Sequence, residues 1–316
     1  MEDKNDNKQI NYSFQLLRLI LCIWVVIHHC CKYVDKFKGK FHVPTFMIMS
    51  FYFYYNTLKT KNIARIKQRF QRILIPYIIW PILILFLNNI LFKLYGFSPY
   101  KKQLLIKDLV FQLVFGGNYH FIFYYQFNLI FLTLLFNIIS FLFNKNFIFI
   151  FQIFLIVAYI FQYSYLNLII FEKYINAIRF PLGTIFELLP FAATGITLCY
   201  LDIISKLKKY KVLVIFFIGV IIFLILQFEI FVEIRGFIYT GIFFNVGGVC
   251  IFILFSLFSF QNRKIIISLL KIITKFTGGI YYIHLIFFTF LMEKFIFIEQ
   301  KTFHGSIFIY IISYIR

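Results

Sequence analysis

The sequence predicts an all-α integral membrane protein of about ten transmembrane helices with both termini in the cytoplasm, and three observations carry that reading. Hydrophobic residues make up 62% of the chain and aromatic residues 23%, with a mean hydropathy of +0.86. That apolar share exceeds what a water-soluble domain uses, so the excess has to face lipid. Four windows long enough to cross a bilayer contain no formal charge: Ile73 to Phe92, Phe121 to Phe143, Phe147 to Ile170 and Phe237 to Phe260. Hydrophobicity runs continuously instead of alternating residue by residue, which favours helices over an outer-membrane barrel.

The helices are expected at about 13–34, 43–58, 73–94, 120–143, 147–164, 181–201, 212–228, 237–260, 274–293 and 304–316. The first follows a polar amino terminus, MEDKNDNKQI, and shows no small-residue cleavage pattern, so it reads as a retained helix. The second and tenth are short. Pro76 stands near the start of the third, where it either fits the first turn or bends the helix. Between the third and fourth, the stretch from Tyr95 to Tyr119 has room for a partial or re-entrant helix, and His120 after Gly116 and Gly117 reads as a helix cap.

The connections at 59–72, 144–146, 202–211 and 261–275, with both termini and Arg18, carry 19 of the 32 Lys and Arg against only Glu2, Asp3, Asp6 and Asp202 among the acids. The positive-inside bias therefore places them in the cytoplasm, although a loop at 32–40 puts four lysines outside. The net charge of +20 follows from this topology and does not imply nucleic acid. Residues 1–316 read as one domain in the cytoplasmic membrane, with no soluble appendage. The five cysteines fall mostly in apolar runs with no disulfide or zinc spacing, and no metal motif is present.

Ionisable groups inside a bilayer are costly and mark sites or pathways. In "RLILCIWVVIHH", eleven residues separate Arg18 from His29, three helical turns, so the two positions share a stripe roughly 16 Å apart along the axis. His28 falls on another face. His29 either takes a proton from a hydroxyl or sits at the interface bonded to water or a carbonyl. Arg18 either serves a substrate or snorkels to headgroups. "RIKQRFQRILIPY" puts Arg65, Arg69 and Arg72 at i, i+4 and i+7, one face of three guanidiniums suited to phosphate or to anionic lipid. Glu187 is the one acid placed well inside a span, and His284 lies mid-helix beside Tyr281 and Tyr282; each is either a positioning group or a satisfied structural residue.

These stretches together resemble the acyltransferase 3 family of bacterial membrane acyltransferases. Arg18 and His29 resemble its Arg-x10-His motif. Arg69 and Arg72 before Pro76-Tyr77 resemble its Arg-x-x-Arg motif, and Tyr281 and His284 resemble its late Tyr-x-x-His. "VPTFMIMSFYFYYN" is similar to the second helix, with Phe51 after Ser50 where the family has glycine. "NYHFIFYYQFNLIFL" is similar to a segment that usually contains tryptophan, which is absent here.

The resemblance implies transfer of a short acyl group, acetyl first and succinyl second, from cytoplasmic acyl-CoA to a hydroxyl of a cell-surface or lipid-linked glycan, without a metal. Arg65, Arg69 and Arg72 would hold the CoA phosphates. His29 would act as base or acyl acceptor, Arg18 would steady the donor, and Glu187 and His284 would position. Some relatives carry an extracytoplasmic SGNH domain, which this chain lacks. The expected partners are acyl-CoA, the glycan and the bilayer, with self-association left open. A transporter or flippase of a lipid-linked glycan, or a non-catalytic member of an assembly complex, remains the alternative.

Overall fold

The structure, a computed structural model, describes residues 12–30, 41–96, 103–115, 123–143, 148–153, 157, 181–231, 242–258 and 267–273. Every described element is a helix: α1 (Tyr12–Cys30), α2 (His42–Thr60), α3 (Ile63–Tyr95), α4 (Ile106–Phe115), α5 (Phe123–Phe143), α6 (Pro181–Tyr200), α7 (Ile203–Lys208), α8 (Lys211–Phe231) and α9 (Ile242–Leu257). Residues 148–153 and 267–273 add two helical pieces. The helices expected at 274–293 and 304–316, and His120, lie outside the described residues.

Residues 63–72, expected within a connection, are instead the opening turns of α3. A search for charge-free windows overlooks a helix whose first turns are basic. The start is set by Asn62, whose side chain accepts the Arg65 N–H at 3.0 Å and so satisfies one of the unpaired donors of the first turn. Gly96, at φ +65°, closes the other end in the left-handed conformation that glycine adopts without cost. Pro76 and Pro81 are both accommodated within this one helix. Its 33 residues span roughly 50 Å, well beyond a hydrocarbon core of ~30 Å, so one end must project from it. The projecting candidate is the basic end.

The 95–119 interval holds α4, which docks on α3. The Tyr77 hydroxyl donates to the carbonyls of Gln112 and Leu113, and Asn89 both donates to and accepts from the Leu104 backbone. Within the expected 202–211 connection, α7 is a further short helix.

α2 is the hub, packed against α1, α5, α6 and α9. Small residues let its neighbours approach. Ala192 and Ala193 on α6 are fully buried, and a Cβ on Gly195 would collide with the Ile48 carbonyl oxygen. On α9, a Cβ on Gly247 would enter the Phe41 ring, and one on Gly248 would press on Pro44. The other side of α2 meets α5 through an aromatic edge, with the Phe51 and Phe136 centroids 4.9 Å apart, and Phe136 in turn packs on Phe151 of the 148–153 piece at 4.2 Å.

The outward faces are apolar. Ile75, Ile78, Ile79, Ile82, Leu83 and Phe86 on α3 are exposed, as are Val212, Leu213, Phe216, Phe217, Phe223 and Leu224 on α8. Faces this extensive suit lipid and would drive aggregation in water. By length and composition, Ile63–Leu94 and Phe123–Phe143 can each cross a membrane, and Tyr12–Val26, Leu188–Tyr200, Lys211–Leu224 and Val246–Leu257 are shorter apolar helices.

Gly195→Val should separate α2 from α6 and destabilise the fold by at least ~3 kcal/mol. Gly219 on α8 has open space around it, so Gly219→Val should leave the melting temperature of detergent-solubilised protein unchanged. Equal behaviour of the two variants would contradict the close α2–α6 contact.

Candidate active site

A cavity of about 1530 Å³ opens among α1, α2, α3, α5 and the α6–α7 junction. Arg18, Lys59, Arg65, Arg69 and Arg72 all line it, against Asp202 as the lining acid among the described residues. Arg18 of the α1 stripe and the three arginines of the i, i+4, i+7 pattern on α3 thus converge on one space, a convergence that neither pattern alone implied.

The three α3 arginines differ in use. Arg65 and Arg72 are exposed. Arg69 is drawn into the bundle: its Nε donates to Thr133 Oγ1 at 3.2 Å, Nη1 to the Ser50 carbonyl at 3.3 Å and Nη2 to Ser50 Oγ at 3.0 Å. Its guanidinium carbon lies 4.0 Å from the Tyr54 ring centroid and 5.0 Å from that of Phe51. Acceptors spread over two neighbouring helices, with aromatic faces alongside, fix this cation in place. Three of the five guanidinium N–H groups are engaged, and two are left for a ligand.

A polar ladder extends from this point. Asn137 Nδ2 donates to the Thr133 carbonyl at 2.7 Å, and the Tyr54 hydroxyl donates to Asn137 Oδ1 at 3.0 Å. Ser140 Oγ donates to the Leu58 carbonyl at 2.8 Å. In the other direction Phe46 faces Tyr125, with centroids 6.3 Å apart. The pairing 58 with 140, 54 with 137, 50 with 133 and 46 with 125 is that of parallel helices, with Arg69 bridging the third rung.

The other sequence candidates are only partly placed. Arg18 is exposed and lines the cavity with Cys22, one turn further along α1. α1 is helical from Tyr12 to Cys30, so positions 18 and 29 do share a stripe, but the His29 side chain lies outside the description, as does that of His28. Glu187 is on α6 with its side chain likewise outside the description, and His284 lies outside the described residues. Sequence reasoning missed Ser50, Tyr54, Thr133 and Asn137. It also missed Lys59, Asp202 and Gln126 on the cavity wall. The available signal was the uncharged polar stripe Gln126, Thr133, Asn137 and Ser140 along one face of an apolar helix.

A sequence-family model described as an acyltransferase domain, that of the acyltransferase 3 family, matches residues 11–315. The chain belongs to the acyltransferase 3 family. No curated protein and no solved structure matches it. Family membership and the apolar helices together make it a membrane acyltransferase, and the basic cavity lies within the matched region. Among the described residues no group of His, Cys, Asp and Glu is arranged to hold a metal ion.

Thr133→Val and Ser50→Ala each leave a guanidinium donor without its acceptor, which should cost about 1–3 kcal/mol in thermal unfolding. Because both act through Arg69, the double variant should lose less than the sum. Strict additivity would mean that Arg69 is not held jointly by α2 and α5.

Proposed function

We propose that this acyltransferase moves a short acyl group, acetyl first and succinyl second, from cytoplasmic acyl-CoA to a hydroxyl of a cell-surface or lipid-linked glycan. The observation that carries the reading is the cavity with five cationic side chains and one acid among its described lining residues. A pocket of that charge favours a ligand bearing several phosphates. The proposed topology is a single domain of about ten spans in the cytoplasmic membrane, with both termini and the arginine-rich start of α3 on the cytoplasmic side, where acyl-CoA is found.

Arg65 and Arg72, exposed at the cavity wall, take the donor phosphates, and the two unengaged N–H groups of Arg69 add a fixed anchor point. Arg18 stands roughly 16 Å along α1 from His29. That separation suits Arg18 to the donor's charge and leaves His29 for the reacting centre. His29 accepts the proton of the acceptor hydroxyl as its oxygen attacks the thioester carbonyl. The C–S bond then breaks, and the proton passes to the departing thiolate. In the two-step variant the imidazole first takes the acyl group and then yields it to the hydroxyl. Glu187 and His284 are assigned positioning roles.

The test is release of CoA thiol from acetyl-CoA by purified protein in lipid vesicles supplied with cell-envelope glycan. His29→Ala should reduce turnover at least ~100-fold, and Arg65→Ala with Arg72→Ala should raise KM about tenfold with kcat little changed. Wild-type rates in folded His29→Ala protein would overturn the role of His29. Failure of wild type to consume acetyl-CoA or succinyl-CoA would favour a conduit for a lipid-linked glycan.

A further inference from the structure

Gln126 differs from the three polar residues that share its face of α5. Thr133, Asn137 and Ser140 are tied to Arg69, Tyr54 and the α2 backbone. Gln126 shares their face of the helix and lines the cavity, yet its Oε1 has no hydrogen-bond partner although the residue is only 6% exposed. A buried carboxamide oxygen without a donor costs free energy that an apolar side chain would avoid. Such a group is retained where a ligand supplies the donor.

Its position says what kind of ligand. Seven residues separate Gln126 from Thr133, so it lies roughly 10 Å along α5 from the level of Arg69. The direction is away from the Leu58–Ser140 rung, near which α3 begins with Arg65. Lys59 and the first arginines of α3 therefore lie towards one end of the cavity and the neutral acceptor Gln126 towards the other. A complementary molecule has an anionic head and a long uncharged arm carrying N–H donors.

We infer that Gln126 accepts a hydrogen bond from an amide N–H on the uncharged arm of the donor while the arginines hold its phosphates. The inference rests on the acyl-CoA reading and deepens it, because the pantetheine arm of CoA carries two such amides between the phosphates and the sulfur. Gln126 is then a binding and positioning residue that sets how far the thioester reaches.

The experiment measures affinities of the purified full chain, in detergent, for two probes: CoA, and 3′-phosphoadenosine 5′-diphosphate, which has the three phosphates and no arm. Gln126→Leu, and Gln126→Met as a variant closer in shape, should weaken CoA about tenfold, the scale of one lost hydrogen bond. Both should leave the armless probe within twofold, and the melting temperature without ligand unchanged or raised. Unchanged CoA affinity in both variants overturns the role of Gln126 and leaves the donor reading standing. Equal weakening of both probes with a lowered melting temperature overturns it too, by making Gln126 a packing residue. If wild type binds neither probe, the donor reading falls and this inference with it.

Discussion

A guanidinium drawn into an apolar helical bundle has to find acceptors, and the way Arg69 finds them organises this protein. Its donors reach Ser50 on α2 and Thr133 on α5, and its face packs on Tyr54. Two consecutive helices and a third some sixty residues further along the chain are thereby held in one register around a cation. The remaining rungs, Tyr54 with Asn137 and Ser140 with Leu58, extend the same alignment. Because desolvating an unpaired charge is so unfavourable, the ladder constrains the bundle more sharply than apolar contacts alone, which tolerate sliding.

The cavity follows from this arrangement. Close approach of α2 to α6 and α9, made possible by Ala192, Ala193, Gly195, Gly247 and Gly248, draws the core tight on one side of α2. On the other side the arginine-bearing start of α3 runs beside α5, where space opens towards α1. Basic residues from α1, α2 and α3 gather there, and the acid facing them among the described residues is Asp202. A net charge of +20, first legible as a topology signal, is thus in part a local feature of this cavity.

The helical class and the spans on α3 and α5 were legible because lipid imposes long apolar runs, and such runs are visible in one dimension. The Arg18 stripe and the α3 arginines were legible because helical periodicity is local. The start of α3 was misplaced, since a window that seeks uncharged residues stops where Arg72 begins the basic turns, whereas the backbone answers to the Asn62 cap. The distinct use of Arg69 was hidden for a different reason. Its partners at 50 and 133 are nonlocal, and serine and threonine in apolar helices commonly bond back to their own backbone, as Thr194 and Thr197 do here. Gln126 was invisible because sequence inspection weighted formal charge, while an unpaired neutral acceptor becomes conspicuous only once burial and partners are known.

The most direct measurement is a cryo-electron microscopy map of the full chain with a non-hydrolysable thioether analogue of acetyl-CoA. Density for the phosphates among Arg65, Arg69 and Arg72, with the arm running along α5 towards Gln126, is the predicted result. Analogue density at a different surface, or a saturated sample whose basic cavity holds none, would contradict the assignment of this cavity to the acyl donor.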